Sequence, residues 1–406
     1  MEKITVIRCR IPKRVICPAC HKRQPFKKKR GHFKTVKDMS LSRTRLLKVE
    51  VIYARCLNKQ CSVKSFRLPI PGVSLRYQRA TDRLIKETVS SVVEDNSTCP
   101  RISRRLNRSY NTTGSTATVD RWKHEIADRY DIKEIISKLE FSGLLCIDEY
   151  KPSRHKGYDL IDSDGKTSRI LYIEPAEGLG RGIVKRHFEK LKEFGIRPWG
   201  VIFDMRACFA GAAKKAFGEK VLIQHDYFHV MKIVHYHLNR AMAEYRRNLR
   251  EDGSYVQDLW EAKWIILKNI EYWTARDHNI MEHLLTRYKG TLIEDVLILK
   301  QRIRDIFLDS KSIKEAYVSR DLLIEEGWHL KNRHFNNIMT FLSKPYFKYM
   351  VTFLDHPGLP KSGNSENVIR VWRQMEKVRY GFKSHKGKLD HLKLHQIKRY
   401  LGEEFK

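Results

Sequence analysis

The stretch GLLCIDEY, residues 143–150, decides the fold, because it is an apolar run that ends in two carboxylates, Asp148 and Glu149. A short apolar run of this kind is typical of a buried β-strand. A second such run, PWGVIFDM at residues 198–205, ends in Asp204. If the two strands are neighbours, both carboxylates lie at one edge of a sheet, where α/β folds generally place their ligand sites.

The segments around these two runs complete a recognisable order of elements. Residues 157–175, GYDLIDSDGKTSRILYIEP, predict two strands joined by a turn at residues 163–165. A helix is predicted over 183–194, another over 207–217, and a fifth strand over 221–226. Three strands followed by helix, strand, helix and strand is the order of the ribonuclease H-like α/β fold.

The next 120 residues have a helical pattern without a strand signal. We interpret residues 232–350, approximately, as an all-α insertion in the α/β domain. It contains four tryptophans, Trp260, Trp264, Trp273 and Trp328. Tryptophans in such a region pack a core more often than they stack on bases, although a minority could contact DNA.

The loop HPGLPKSGNS at residues 356–365 precedes a helix that is predicted to begin at Glu366. Glu366, Arg370, Arg373 and Lys377 recur at helical spacing and share one face. One acid that leads a row of bases could place a metal ligand beside contacts to phosphates. The alternative is a structural role, because an acid in the first turn is favoured by the helix dipole.

Charge indicates the partner. The chain has 406 residues with 80 Lys and Arg against 47 Asp and Glu, a net charge of +33. Residues 1–80 alone hold 22 basic and 3 acidic side chains. Such a basic block is suited to nucleic acid, which it binds with release of counterions; a ribosomal-type surface or solubility alone remains an alternative. Carboxylates that converge in so basic a protein would repel DNA unless cations bridged them, and Mg²⁺ (or Mn²⁺) prefers such oxygen ligands.

Four of the eight cysteines form two close pairs, Cys17 with Cys20 and Cys56 with Cys61. Two pairs of this spacing can complete a closed structural zinc site, which would fold residues 1–75. Unrelated reduced cysteines are the alternative. A disulfide framework is disfavoured because nothing in the sequence indicates export.

Residues 76–135 have the pattern of a helix-turn-helix. Apolar residues recur at helical spacing over 84–93, a second segment RISRRLNRSY follows, and Ser115 or Thr116 can cap a third. The last helix would enter the major groove, with Arg121 and Lys123 as contacts to DNA. A plain helical hairpin that packs on the next domain is the alternative.

Together these motifs resemble the ISL-three family of bacterial insertion-sequence transposases, which carry an N-terminal zinc-binding segment, a helix-turn-helix and a DDE-type ribonuclease H-like domain. The motifs that carry the resemblance are CIDEY, HKGYDLIDSD, VIFDMRACFAGAAKKAF, DYFH with Lys232, and SENVIRVWRQMEKVRYGF. The resemblance implies that Asp148, Asp204 and Glu366 are the metal-binding catalytic triad. Two departures, Ile369 for an expected Asn and Tyr227 for a common Arg, do not affect that triad.

The resemblance also implies that Glu149, Asp226 and His229 lie near the site as second-shell or DNA-contacting groups. A neutral histidine at the start of a helix is equally often structural.

The sequence therefore predicts three domains: a zinc-binding module over 1–75, a helix-turn-helix over 76–135 and a catalytic domain over 140–406. We expect a transposase that binds terminal inverted repeats, hydrolyses the strand at the element end with Mg²⁺, and transfers the 3′-hydroxyl into target DNA. Since two ends must be joined, at least a dimer on DNA is expected. We expect no membrane partner and a place in the cytoplasm, at the bacterial nucleoid. The alternatives are another ribonuclease H-like nuclease and a domesticated, inactive DNA-binding regulator.

Overall fold

The computed structural model describes residues 5–39, 44–68, 70, 80–110, 114–152, 157–254 and 256–405. The chain divides into two units. One unit combines Met1–Leu139 with Trp372–Lys406, and the other is Glu140–Val371. This division differs from the predicted domain over 140–406, because the last 35 residues group with the N-terminal unit.

The N-terminal unit begins with short strands around a long hairpin. The strands are β1 (Thr5–Ile7), β2 (Arg14–Ile16), β3 (Arg23–Pro25), β4 (Lys28–Met39), β5 (Thr44–Arg55) and β6 (Ser65–Arg67). β5 pairs antiparallel with β4 and β6 and parallel with β1, while β2 and β3 form a separate antiparallel ribbon. A small core around Cys17, Ile52 and Cys61 closes this region.

Helices follow in the same unit: α1 (Asp82–Glu94), α2 (Cys99–Tyr110), α3 (Thr116–Ala127) and α4 (Ile132–Lys138). The Ser115 side chain accepts a hydrogen bond from the Thr118 backbone and caps α3, which confirms one of the two predicted caps. The helices bury one apolar stripe each, with Val89, Val119 and Ile126 in a common core.

The second unit is built on a mixed sheet. Its strands are β7 (Leu144–Tyr150), β8 (Tyr158–Asp164), β9 (Ile170–Ala176), β10 (Gly200–Phe203) and β11 (Leu222–His225). Within the described residues their spatial order is β11-β10-β7-β8-β9. β7, β8 and β9 are antiparallel neighbours, whereas β10 runs parallel to both β7 and β11. The predicted sequence of strands is confirmed, and this part of the chain is a mixed α/β structure.

Two helices connect the parallel strands along the chain. They are α5 (Arg181–Glu193), between β9 and β10, and α6 (Ala207–Phe217), between β10 and β11. Phe188 of α5 meets Phe209 and Phe217 of α6 edge to face, with ring centroids 6.0 and 5.6 Å apart. This aromatic contact packs α5 and α6 against each other.

A long helical region then begins with α7 (Tyr227–Glu251). It continues through α8 (Gln257–Glu261), α9 (Lys263–Leu267), α10 (Ala275–Arg287), α11 (Leu292–Leu308), α12 (Ile313–Glu325), α13 (Trp328–Lys331), α14 (Arg333–Leu342) and α15 (Phe347–Met350). Between 227 and 350, residue 255 aside, the structure has no strand, as predicted. Trp328 packs into the core of this region, but Trp260 and Trp264 are 49% and 71% exposed.

The chain ends with α16 (Ser365–Val378) and α17 (His385–His395), followed by a π-helical turn (Gln396–Tyr400). Leu394 and Ile397 lie in the same core as α1 and α3, and His124 of α3 pairs with Asp390 of α17. These contacts are why the C-terminal residues belong to the N-terminal unit. No helix in the described parts of the chain is long and apolar enough to cross a membrane.

Candidate active site and metal centre

Three aspartates lie at the same register of three neighbouring parallel strands, Asp148 within β7 and Asp204 and Asp226 directly after β10 and β11. Phe203 of β10 pairs with Ile147 of β7 on one side and with His225 of β11 on the other. The residues that come next along each strand are Asp148, Asp204 and Asp226. Because parallel strands in register end at one edge, the three carboxyl groups are brought to the same side of the sheet.

Asp148 and Asp204 are fixed in the same way. One carboxylate oxygen of each accepts the backbone N–H of the following residue, Glu149 at 2.7 Å and Met205 at 2.6 Å. The second oxygen of each is directed to His229. Its Nε2 lies 3.7 Å from Asp148 Oδ2 and its Nδ1 lies 3.3 Å from Asp204 Oδ2. The imidazole therefore bridges the two predicted catalytic carboxylates.

Electrostatics follow from this arrangement. Burial alone would lower the pKa of His229, but the hydrogen bonds and charges of Asp148 and Asp204 outweigh it and raise the pKa to about 10. Burial also opposes ionisation of Asp204, but the hydrogen bond and the positive charge of His229 outweigh burial and lower the pKa of Asp204. The positive charge of the His229 ring thus compensates the negative charge of the two carboxylates. A pair of carboxylates directed to one point favours the binding of a cation.

The other two predicted neighbours have distinct partners. Glu149 forms an ion pair with Arg206, with 2.5 Å between Oε1 and Nε, although burial is the larger effect and raises its pKa. Asp226 caps α7 by accepting the Phe228 N–H at 2.9 Å, and burial raises its pKa. Both side chains belong to the framework of the site.

Glu366 lies in the exposed first turn of α16, immediately after a segment that is tied to the sheet. The Lys361 carbonyl accepts the Tyr227 N–H at 3.0 Å, and the Asn364 amide donates to Ser168 Oγ at 2.7 Å. A Cβ on Gly363 would come within 2.9 Å of Cys146 Sγ. Since Cys146 precedes Asp148 by two residues on β7, the start of α16 is held beside that strand.

The structure brings Asp148 and Asp204 to one imidazole, and it holds the start of α16, where Glu366 lies, beside β7. The four cysteines form the one group of three or more Cys, His, Asp or Glu, among the described residues, whose ligand atoms all lie within 4.8 Å of one another. Asp148 and Asp204 share His229, and Glu366 is not part of such a group with them.

The four cysteines do converge as predicted. Cys17 Sγ is 3.9 Å from Cys61 Sγ, and Cys20 Sγ is 3.8 Å from Cys56 Sγ. Tetrahedral zinc with Zn–S bonds of about 2.3 Å separates its sulfurs by about 3.8 Å, so the spacing fits such an ion. A hydrogen bond from the Lys22 backbone is the main cause that lowers the pKa of Cys20 to about 6, whereas burial is the main cause that raises the pKa of Cys56 to about 12. Cys20 is therefore the thiol that most readily supplies the thiolate a metal requires.

The predicted contacts to DNA differ in accessibility. Arg121 is exposed on α3, and Arg370, Arg373 and Lys377 are exposed on α16. Lys123, in contrast, is only 9% exposed in its side chain and lies 3.5 Å from Asp120. Its ammonium is not presented to a phosphate, so we leave it out of the interface proposed below.

Sequence reasoning missed an arginine face on α2. Four arginines at helical spacing line a surface cavity of 360 Å³: Arg101, Arg104, Arg105 and Arg108. The spacing i, i+3, i+4 and i+7 was the signal that could have identified this face.

A search of solved structures finds five matching chains, one from the Drosophila P element transposase strand transfer complex. The TM-score is 0.40 and the identity 11%, over 79% of this chain and 93% of that one. Comparison with curated proteins finds no match. The model of a DDE transposase family of the ISL-three type, described as "Transposase", matches residues 145–387. The chain belongs to that family: it is a transposase, an enzyme that binds and cleaves DNA with divalent metal ions.

Proposed function

We propose that Asp148, Asp204 and Glu366 bind divalent cations, Mg²⁺ or Mn²⁺, and that this site cuts DNA at the ends of a bacterial insertion sequence. The observation that carries the proposal is the pair of carboxylates at matching positions of adjacent parallel strands, both directed to one imidazole. The freed 3′-hydroxyl would then be transferred into target DNA.

The strand order supports a ribonuclease H-like fold for this unit. Three antiparallel strands followed by two parallel ones, in the spatial order β11-β10-β7-β8-β9, is the topology expected for it. The helices between β11 and α16 then form an all-α insertion over about 232–350.

The donor set fits hard cations, which favour carboxylate oxygens. When bound, such ions would activate the attacking oxygen and stabilise the leaving oxygen of an in-line displacement. The backbone amides of Glu149 and Met205 hold two carboxylates in fixed orientations. The segment 361–365 holds the start of α16 close to β7 and β11, so we infer that Glu366 joins them from there.

The N-terminal unit supplies DNA recognition in this proposal. The four cysteines would hold structural zinc, and α2 with α3 would act as the helix-turn-helix that binds terminal inverted repeats. Arg121 and the arginine face of α2 are the exposed groups for base and phosphate contacts. The exposed side chains of Arg370, Arg373 and Lys377 on α16 would contact phosphates of the DNA strand that lies beside Glu366. Because two ends must be joined, the active species is at least a dimer on DNA.

Cleavage of a donor that carries candidate element ends tests the proposal. Asp148→Asn and Asp204→Asn are each expected to abolish cleavage while they retain DNA binding, and Asp252→Asn, an exposed aspartate after α7, serves as the control. Undiminished cleavage by either site variant would refute the metal site.

The products of the same assay separate the two alternatives. Cleavage without strand transfer would indicate another ribonuclease H-like nuclease. Binding of the end sequences with neither step would indicate a DNA-binding regulator.

A further inference from the structure

The helical region carries a cavity that the catalytic proposal does not use. It has a volume of 460 Å³ and is lined by Ala243, Arg246, Arg247, Arg250, Glu251 and Trp260. The three arginines recur on α7 at helical spacing and therefore share one face. Trp260, on α8, is half-exposed.

Arg246 is the unusual member of this set. Its side chain is almost wholly buried, with 3% of the residue exposed. The guanidinium lies over the Trp260 ring, 4.3 Å from the centroid. Its Nε and Nη1 are buried and, within the described parts of the chain, have no hydrogen-bond partner.

The charge of Arg246 has a second unusual feature. No ion pair of Arg246 is found among the described residues, and burial is the single cause that acts on its pKa, which it lowers. A guanidinium stays protonated in proteins, and buried charges are normally paired. A buried arginine that lines a cavity and has no ion pair among the described residues thus offers its charge and unpartnered donors to an anion.

We propose that this cavity binds a phosphate group, and that the phosphate is a phosphodiester of DNA. The guanidinium fork matches phosphate oxygens with paired hydrogen bonds, and the exposed Arg247 and Arg250 add donors at the rim. The half-exposed Trp260 ring offers an adjacent surface for a nucleotide base, which favours DNA over a bare anion. Glu251, also exposed, is the one acid of the lining.

The helical region would then contact DNA in its own right. This inference goes beyond the catalytic proposal and does not depend on it, because binding is measured without cleavage.

The test uses the full chain and a duplex of arbitrary sequence, with affinity measured as a function of salt. Arg247→Ala combined with Arg250→Ala should weaken binding several-fold and reduce the slope of log affinity against log salt by about two, roughly one per lost phosphate contact. Arg246→Met, which removes the buried charge but keeps an apolar side chain, should weaken binding too. The matched control is Arg240→Ala, an exposed arginine of α7 outside the cavity. Cavity variants that bind like this control, with folding verified by circular dichroism, would overturn DNA as the ligand.

A second arm identifies the source of the phosphate. Inorganic phosphate and pyrophosphate are titrated while tryptophan fluorescence is recorded, with Trp260→Phe as the variant that removes the local signal. A fluorescence change that requires Trp260, with DNA affinity unaltered in the cavity variants, would assign the site to a free anion instead. If neither DNA nor the small anions respond, the cavity is not a phosphate site.

Discussion

At the scale of single residues, the site depends on how two carboxylates are kept apart and still directed to one point. One oxygen of each carboxylate accepts the backbone N–H of the next residue, and this hydrogen bond restricts the direction of the second oxygen. His229 lies between these second oxygens and balances their charge. Metal ions that bind there would take over that balance, and the imidazole would remain close to the ions or to DNA.

The buried His187 should make the stability of the fold depend on pH. Its Nε2 lies 2.9 Å from Asp162 Oδ1 and its Nδ1 lies 3.0 Å from Glu174 Oε2. Burial opposes the charge, but the two acids prevail and raise the pKa of His187 to about 9 from an ordinary 6.5. A group whose pKa is raised on folding stabilises the protein below its unfolded pKa, and this contribution is lost as the pH rises through the folded value.

We therefore expect the free energy of unfolding to fall between pH 6.5 and 9, by roughly 3 kcal/mol at most from this group. Urea denaturation over that range measures it, and His187→Gln, which does not titrate, should remove this part of the pH dependence. Parallel pH profiles for the two proteins would contradict the assignment.

Among residues, the sequence could predict the sheet positions of those that end an apolar strand. Asp148 and Asp204 were predicted because each ends an apolar run. The bridge by His229 and the burial of Lys123 depend on partners that are far along the chain or on how a helix turns, and no local pattern reports them.

At the scale of elements, the segment before α16 determines where Glu366 lies. Gly363 packs directly on the fully buried Cys146, and an alanine at that position would bring its Cβ to 2.9 Å from Sγ and 3.3 Å from Ser365 Oγ. Gly363→Ala should thus cost about 1–3 kcal/mol by overpacking and reduce DNA cleavage by displacing the helix start.

Cys146→Ala in the same chain should restore much of both losses, because it removes the atom that clashes. Urea denaturation and cleavage rates of the two single variants and the double variant form the cycle that measures this coupling. Additive effects would show that the contact does not position α16.

The cysteine cluster acts on elements as well. Its small core leaves the strands β2, β3 and β6 with few apolar contacts, so a bound metal should contribute much of the local stability. We expect one zinc ion per chain and its loss in Cys20→Ser, with faster amide exchange over residues 14–25 and 55–67.

Cys208→Ser is the matched control, since that thiol contacts the Leu179 carbonyl away from the cluster. Purified protein without zinc, or amide exchange that is the same in Cys20→Ser and the wild type, would argue against a structural ion.

Elements of the α/β sheet could be predicted from sequence because buried strands and amphipathic helices have distinct periods. The strands β7 and β11 and the helix α6 lie within a residue or two of their predicted bounds. The association of α17 with α1 and α3 could not be predicted, because an apolar helical face does not specify which partner covers it. The exposure of Trp260 and Trp264 eluded prediction for the same reason.

At the scale of the whole molecule, the net charge of +33 dominates the affinity for DNA. A protein that neutralises 6–10 phosphates loses about 10³–10⁵ in affinity between 50 and 200 mM salt. We expect this chain to show a loss of that order with a duplex of arbitrary sequence, measured by fluorescence anisotropy. A decline of less than tenfold would mean that the positive charge is not directed to the DNA backbone.

Three acids that are distant in sequence, Asp148, Asp204 and Glu366, are proposed to surround the same metal ions. Fe²⁺ bound in place of Mg²⁺ generates hydroxyl radicals when ascorbate and peroxide are added, and these cut the protein backbone near the ion. With DNA bound, we expect cuts in the protein backbone close to residues 148, 204 and 366. Excess Mg²⁺ should suppress these cuts, and the double variant Asp148→Asn with Asp204→Asn should lack them. Cuts at 148 and 204 that spare the start of α16, or cuts that Mg²⁺ does not suppress, would contradict it.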